Sequence, residues 1–293
     1  MTATGRSQSR DEPGSAKSGP MASIGRALRR TGSQLAAFVT ILWRAPRPLS
    51  RRVLPWPSSV GLLAGSAVAI AVVAAAMLYL DAWAIEQVRF VPFRVLQAFD
   101  DFTDLGLSGW FLFPASALVI AIAALATPAL GRIANLVLLS IVVRLQFVFF
   151  AVAVPGLLFT VLKRLVGRVR PSVLGPFAYI PFSWQPEYAS FPSGHSTTAF
   201  SAAVALGALF PRARLLFWLY AVTIAASRVI ITVHYPSDVI AGALVGGFGA
   251  LLVRNWFAAR RLGFAIAPDG RVMALPGPSR HRIRMVARKL RGA

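Results

Sequence analysis

Residues 60–80 are twenty-one consecutive positions without a charged side chain. That length matches the roughly 20 apolar residues needed to cross the hydrocarbon core of a bilayer. Further apolar runs follow at 110–130, 145–162, 196–210, 215–233 and 236–253, interrupted only by Arg228 and Asp238 near the ends of the last two. The 56 % hydrophobic content of the chain comes in these blocks, against roughly 45–50 % for soluble domains. The expected fold is therefore all-α, a polytopic membrane protein with six transmembrane helices.

Charge sets the expected orientation. The formal net charge of +21 suggests nucleic acid at first sight. Its distribution argues otherwise, because residues 1–57 hold ten Lys/Arg and residues 254–293 hold ten more. Basic ends around an apolar middle are the pattern of cytoplasmic flanks. They also attract anionic lipid at roughly 1 kcal/mol per basic residue. No stacking or groove-reading motif accompanies the charge, so no nucleic-acid partner is expected. Zero cysteines exclude disulfides and thiolate metal sites. Both termini are expected to be cytoplasmic. This divides the chain into a basic tail 1–57, a membrane domain 58–254 and a second basic tail 255–293.

Within the first tail, residues 1–20 have almost nothing to bury and read as disordered, and Met21 is an alternative start. Residues 22–43 suggest an interfacial helix on the inner face, and no early stretch has the form of a cleavable signal. Residues 81–108 read as an outer segment. Its Asp100, Asp101 and Asp104 suit a solvated loop better than a metal site. Residues 131–144 read as an inner turn region carrying Arg132 and Arg144. Residues 171–191 read as an aromatic outer loop at headgroup level, short interfacial elements being all that is expected outside the spans. Gly242, Gly246, Gly247 and Gly249 include small-xxx-small spacing, which fits close helix packing. Pro268-Asp269-Gly270 signals a small hairpin, and 280–291 a basic amphipathic helix.

Three short segments carry chemistry. Lys163 and Arg170 are seven apart, so a continuous helix would put them on one face as a cationic clamp for phosphate; a snorkelling basic collar fits the same residues. Ser193-Gly194-His195 opens the fourth span, where free helix N–H groups favour an anion and Gly194 lets backbone approach a ligand. A plain Pro-Ser-Gly turn with a helix cap fits as well. His234 and Asp238 lie one turn apart at the start of the sixth span, after Pro236. The Asp can fix the tautomer of the His and leave its other nitrogen free as a nucleophile. Arg228 lies upstream within reach of the same anion.

Taken together, Lys163-x6-Arg170-Pro171, Pro192-Ser193-Gly194-His195 and Ser227-Arg228-x5-His234-x3-Asp238 resemble the three-part signature of the type 2 phosphatidic acid phosphatase superfamily, which also contains the vanadium haloperoxidases. The resemblance covers about residues 60–253. It implies a membrane lipid phosphatase that uses no metal and no cofactor. By position, His234 attacks phosphorus, Asp238 orients it, and His195 protonates the leaving oxygen. Lys163, Arg170, Ser193, Gly194 and Arg228 hold the phosphoryl oxygens, whereas Arg164 and Arg168 fall outside the signature and are left as collar. The implied substrates are lipid phosphates or diphosphates such as undecaprenyl diphosphate, phosphatidylglycerophosphate, phosphatidate or a lipid A phosphate. The site would face the periplasm or the outside of a bacterial cytoplasmic membrane. A vanadium-dependent haloperoxidase and a non-enzymatic scaffold or transporter on the same fold are the alternatives.

Overall fold

The computed structural model describes residues 20–47 and 58–291. The expected disorder of 1–20 lies almost wholly outside them. Ten helices and one hairpin make up the described chain. Helix α1 is Pro20–Thr40, α2 Ser59–Tyr79, α3 Asp81–Val88, α4 Phe93–Thr103 and α5 Gly109–Leu125. Helix α6 runs Arg132–Val166, α7 Gly194–Leu209, α8 Arg214–Ile230 and α9 Pro236–Ala259. Strands β1 (Phe264–Ile266) and β2 (Val272–Ala274) pair antiparallel, and α10 is Arg280–Arg291.

Five helical stretches are long and apolar enough to cross a membrane: Ser59–Tyr79, Phe93–Leu125, Arg132–Val166, Pro211–Ile230 and Pro236–Ala259. The run expected as the fourth span is helical as α7, but its 16 residues leave it outside these five. Side chains on α2 such as Val60, Leu63, Val68 and Ile70 are at least 64 % exposed. Water would penalise so large an apolar surface, and lipid does not. The protein is an integral membrane protein of mainly helical structure.

Helix α7 is the hub, packed between α6, α8 and α9. Its approach to α9 depends on small residues. A Cβ on Gly242 would lie 2.5 Å from the Ser193 carbonyl oxygen, and one on Gly246 2.2 Å from that of Thr197. Gly249 packs on Pro155 of α6 in the same way. The expected glycine packing is thus how the bundle closes.

Two loops expected from polarity are helical. Residues 132–143 are not a turn; they are the first turns of α6, whose 35 residues span roughly 52 Å at 1.5 Å per residue. Ala134, Val137 and Leu138 bury one face of that extension against α10, under Val286. Residues 81–108 form α3 and α4, with their apolar faces on α8. Helix α1 packs against α5, burying Phe38, whose carbonyl accepts from Gln146 at 2.8 Å.

Candidate active site

Helix α6 stops at Gly167, which takes the left-handed conformation (φ 62°). A Cβ there would fall 1.9 Å from the Ile180 carbonyl oxygen, so only glycine fits. The chain then turns out of the helix, and Arg168 forms an isolated antiparallel bridge with Tyr179. This corrects the expectation for Lys163 and Arg170. Lys163 is on α6 and Arg170 is beyond the break, so they do not share a helix face. Lys163 is nevertheless close enough to Arg170, Asp238, Arg164 and Arg228 for their charges to act on it.

Arg168 is not a collar residue. Its side chain is fully buried and every guanidinium N–H has an acceptor. Nη1 donates to Asp238 Oδ1 and Ser237 Oγ, both at 2.7 Å. Nη2 donates to Asp81 Oδ2 at 2.7 Å and to the Pro176 carbonyl at 2.9 Å, and Nε to the same carbonyl at 3.2 Å. The Tyr235 ring stacks 4.2 Å from the guanidinium carbon. Asp81, from the supposed outer loop, is also fully buried and accepts from Ser237 N at 2.9 Å and Ser237 Oγ at 2.6 Å. Arg164 likewise has a structural place, donating to the Ser183 carbonyl at 3.2 Å and lying over Trp184.

The Arg168 clamp holds the first turn of α9. Asp238 Oδ2 accepts from Ser190 Oγ at 2.5 Å and from Tyr235 N at 3.0 Å. His234 Nδ1 lies 3.6 Å from the same oxygen and 3.5 Å from Ser190 Oγ. With Nδ1 turned to the carboxylate side, Nε2 is the nitrogen left for chemistry. His234 is 1 % exposed. Burial pushes its pKa down to about 4, opposed by Asp238, so the ring is neutral near pH 7 and keeps a lone pair.

The second segment arrives on α7. Ser193 caps the helix, accepting from Ser196 N at 3.5 Å, and its own N–H donates to the Asp238 carbonyl at 3.0 Å. That bond ties the second segment to the third. Gly194 is explained by packing: a Cβ would meet the Phe159 ring at 2.9 Å. The His195 ring lies beside Gly106, whose Cβ would approach it at 3.0 Å, and it lies within reach of the charges of Arg228, Lys163 and Arg170.

Arg228 is buried near the end of α8 and donates from Nη1 to Thr103 Oγ1 at 2.8 Å, and Thr103 in turn bonds Ser227 Oγ at 2.8 Å. The Nε atoms of Arg228 and Arg170 and Nε2 of His195 are buried without a protein partner among the described residues. Such polar atoms are expensive to leave unpaired, and an anion would satisfy the two guanidinium donors.

The sequence reading missed Arg168, Asp81, Ser190, Ser237 and Thr103. Only Asp81 carried a signal, as an acid placed directly after a span-length apolar run.

The fold and site together define a helical membrane protein with a cationic cup around a His–Asp pair. Residues 144–262 match the family model of the PAP2 superfamily, the family that the three segments resemble. The chain is 48 % identical over 129 residues to the lipid A 1-phosphatase of Rhizobium johnstonii, covering 42 % of this chain and 52 % of that one. It is 35 % identical over 114 residues to the lipid A 4'-phosphatase of Bacteroides thetaiotaomicron, covering 37 % of this chain and 50 % of that one. The chain thus spans about half the length of the curated relatives it matches. The crystal structure of Aquifex aeolicus LpxE aligns with a TM-score of 0.44 at 23 % identity, covering 59 % of this chain and 94 % of that one.

Proposed function

We propose that this protein is a metal-independent membrane phosphatase that removes a phosphate from a lipid, with lipid A phosphate as the first candidate substrate. One observation carries the reading: the buried, neutral His234 faces Asp238 through Nδ1 while the positive charges of Lys163 and Arg228 reach its ring and that of Arg170 reaches Lys163. In the first step the Nε2 lone pair of His234 attacks phosphorus and the bond to the lipid oxygen breaks. His195 delivers a proton to that oxygen as it leaves. In the second step His195 takes a proton from water, the water oxygen attacks phosphorus, and the P–N bond breaks to release phosphate. The growing charge on the phosphoryl oxygens is met by Lys163, Arg170, Arg228 and the α7 N-terminus at Ser193 and Gly194.

With six membrane crossings, counting α7, both termini fall on one side and the site on the other; the reading takes the termini as cytoplasmic and the site as outer. The positive-inside rule supports this, since 24 of the 31 Lys/Arg fall at segments then inside. The membrane domain is 58–254 and the basic tails flank it. A site at headgroup level lets the lipid keep its chains in the bilayer. The names of the relatives favour lipid A as substrate.

The test is phosphate release by purified protein in detergent from lipid A, phosphatidate, phosphatidylglycerophosphate and undecaprenyl diphosphate, each with and without excess EDTA. Release from lipid A that survives EDTA is the expected result. No release from any of the four would overturn the phosphatase reading, and loss restored by a divalent ion would overturn metal independence.

A further inference from the structure

At the end of the bundle away from His234, two adjoining cavities are lined by α1, the turn after it, and the first turns of α6. One, of about 260 Å³, is lined by Arg44, Arg144 and Arg261 with Ser140 among apolar groups. The other, of about 450 Å³, is mainly apolar, and Ile41, Leu136 and Leu139 line both. No acidic side chain lines either cavity among the described residues. One end with three arginines and one mainly apolar end, rimmed by Gln34, Arg132 and Asn135 and continuous with the first through three aliphatic side chains, fit an amphiphile with an anionic head.

Arg144 is built in, whereas Arg44 and Arg261 are exposed at the rim. Arg144 Nη1 donates to Ser140 O and Oγ at 2.8 and 2.6 Å, and Nη2 donates to the Leu275 carbonyl beyond the hairpin at 2.8 Å. That fixes its guanidinium against the groove floor. Arg261 follows the end of α9 in a Schellman turn, with Arg261 N bonded to Ala258 O and Leu262 N to Phe257 O. The left-handed residue of such a turn is usually glycine, yet here it is arginine at φ 52°. A left-handed arginine in the wall of this cavity is the kind of backbone outlier that points to a ligand.

The depth is right for a lipid. Arg144 and Lys163 are nineteen residues apart on α6, roughly 28 Å, close to the roughly 30 Å hydrocarbon thickness. With Lys163 at one boundary, Arg144 lies at the other. We infer that this groove binds one anionic phospholipid of the opposite leaflet, its phosphate on Arg44, Arg144 and Arg261 and an acyl chain along Ile41, Leu136 and Leu139. The inference does not depend on the catalytic reading. It replaces diffuse attraction by the tails with one ordered site.

Native mass spectrometry of the full chain, titrated with phosphatidylglycerol, phosphatidylcholine or inorganic phosphate, tests it. The wild type should retain phosphatidylglycerol at least fivefold better than phosphatidylcholine. The double variant Arg44→Gln, Arg261→Gly should lose that preference. Glycine at 261 relieves the left-handed strain, so the variant should not melt earlier than wild type, and misfolding cannot mimic the loss. Arg282→Gln with Arg284→Gln removes the same charge from the exposed face of α10 and should leave retention unchanged. Equal loss in both double variants would reduce the effect to bulk charge and overturn the site. Equal retention of the two lipids would also overturn it. Displacement of the lipid by millimolar inorganic phosphate would show a free-anion site instead.

Discussion

Asp81→Asn tests the clamp that aims the His–Asp pair. The substitution keeps shape and removes one charge at a fully buried position. The wild-type carboxylate accepts three bonds, from Arg168 Nη2, Ser237 N and Ser237 Oγ. The amide oxygen of Asn can keep Ser237 N, and the serine hydroxyl can turn to accept. The guanidinium cannot turn, so an amide NH₂ would face an Arg N–H in a dry site. Breaking a buried ion pair from one side typically costs about 3–5 kcal/mol. Arg168 retains Asp238, which puts the expected loss near the lower end, about 3 kcal/mol, or roughly a hundredfold in the folding equilibrium. Thermal unfolding in detergent measures it, with the exposed Asp100→Asn as a control that should stay near wild type. Turnover, measured below the melting transition, should also fall with little change in KM, because Ser237 and Asp238 open α9 together. Unfolding of Asp81→Asn at the wild-type temperature would refute the assignment of the Asp81–Arg168 pair as a support of the site.

Three further outcomes are expected. His234→Ala should insert and fold but lose turnover by on the order of 10³ or more, and near-wild-type phosphate release would exclude His234 as nucleophile. Gly246→Val places a side chain against the Thr197 carbonyl at the α7–α9 contact and should destabilise by about 3 kcal/mol; Gly247→Ala, with open space around it, should be neutral or slightly stabilising, and the same melting shift for both would count against the contact. Because burial holds His234 near pKa 4 against an ordinary value near 6.5, only the unfolded chain takes up its proton between those values. The stability due to the neutral ring is then complete above about pH 6.5 and lost as pH falls toward about 4, roughly 3 kcal/mol in all. His234→Gln should flatten this acid dependence of melting, and an unchanged slope would contradict it.

The apolar runs were legible because lipid demands uninterrupted stretches, and each of the six corresponds to a helix. Glycine spacing foretold close packing of α9, though not its partners, and Gly247 turns out to face open space; the Pro-Asp-Gly turn and basic periodicity foretold the hairpin and α10. The extension of α6 through 132–143 was hidden, since Arg132, Asn135 and the following Arg144 read as a turn until α10 is seen covering the other face. In the site, the eight signature residues could be picked out by type and spacing. The clamp could not. Arg168 reads as one of several cations at a span end, and its partner Asp81 is 87 positions away, so no local pattern joins them. The helical break at Gly167 was equally invisible, because the obstacle is a carbonyl thirteen residues further on.

None of the residues from Gly194 to Leu209 is exposed, so the element bearing His195 is shielded by its neighbours. The outer helices can therefore adjust to changes in bilayer thickness or fluidity while the imidazole keeps its bearing. In that respect the protein carries a small water-soluble-style interior inside a lipid-facing shell, and reaction geometry should be less sensitive to membrane composition than substrate entry is.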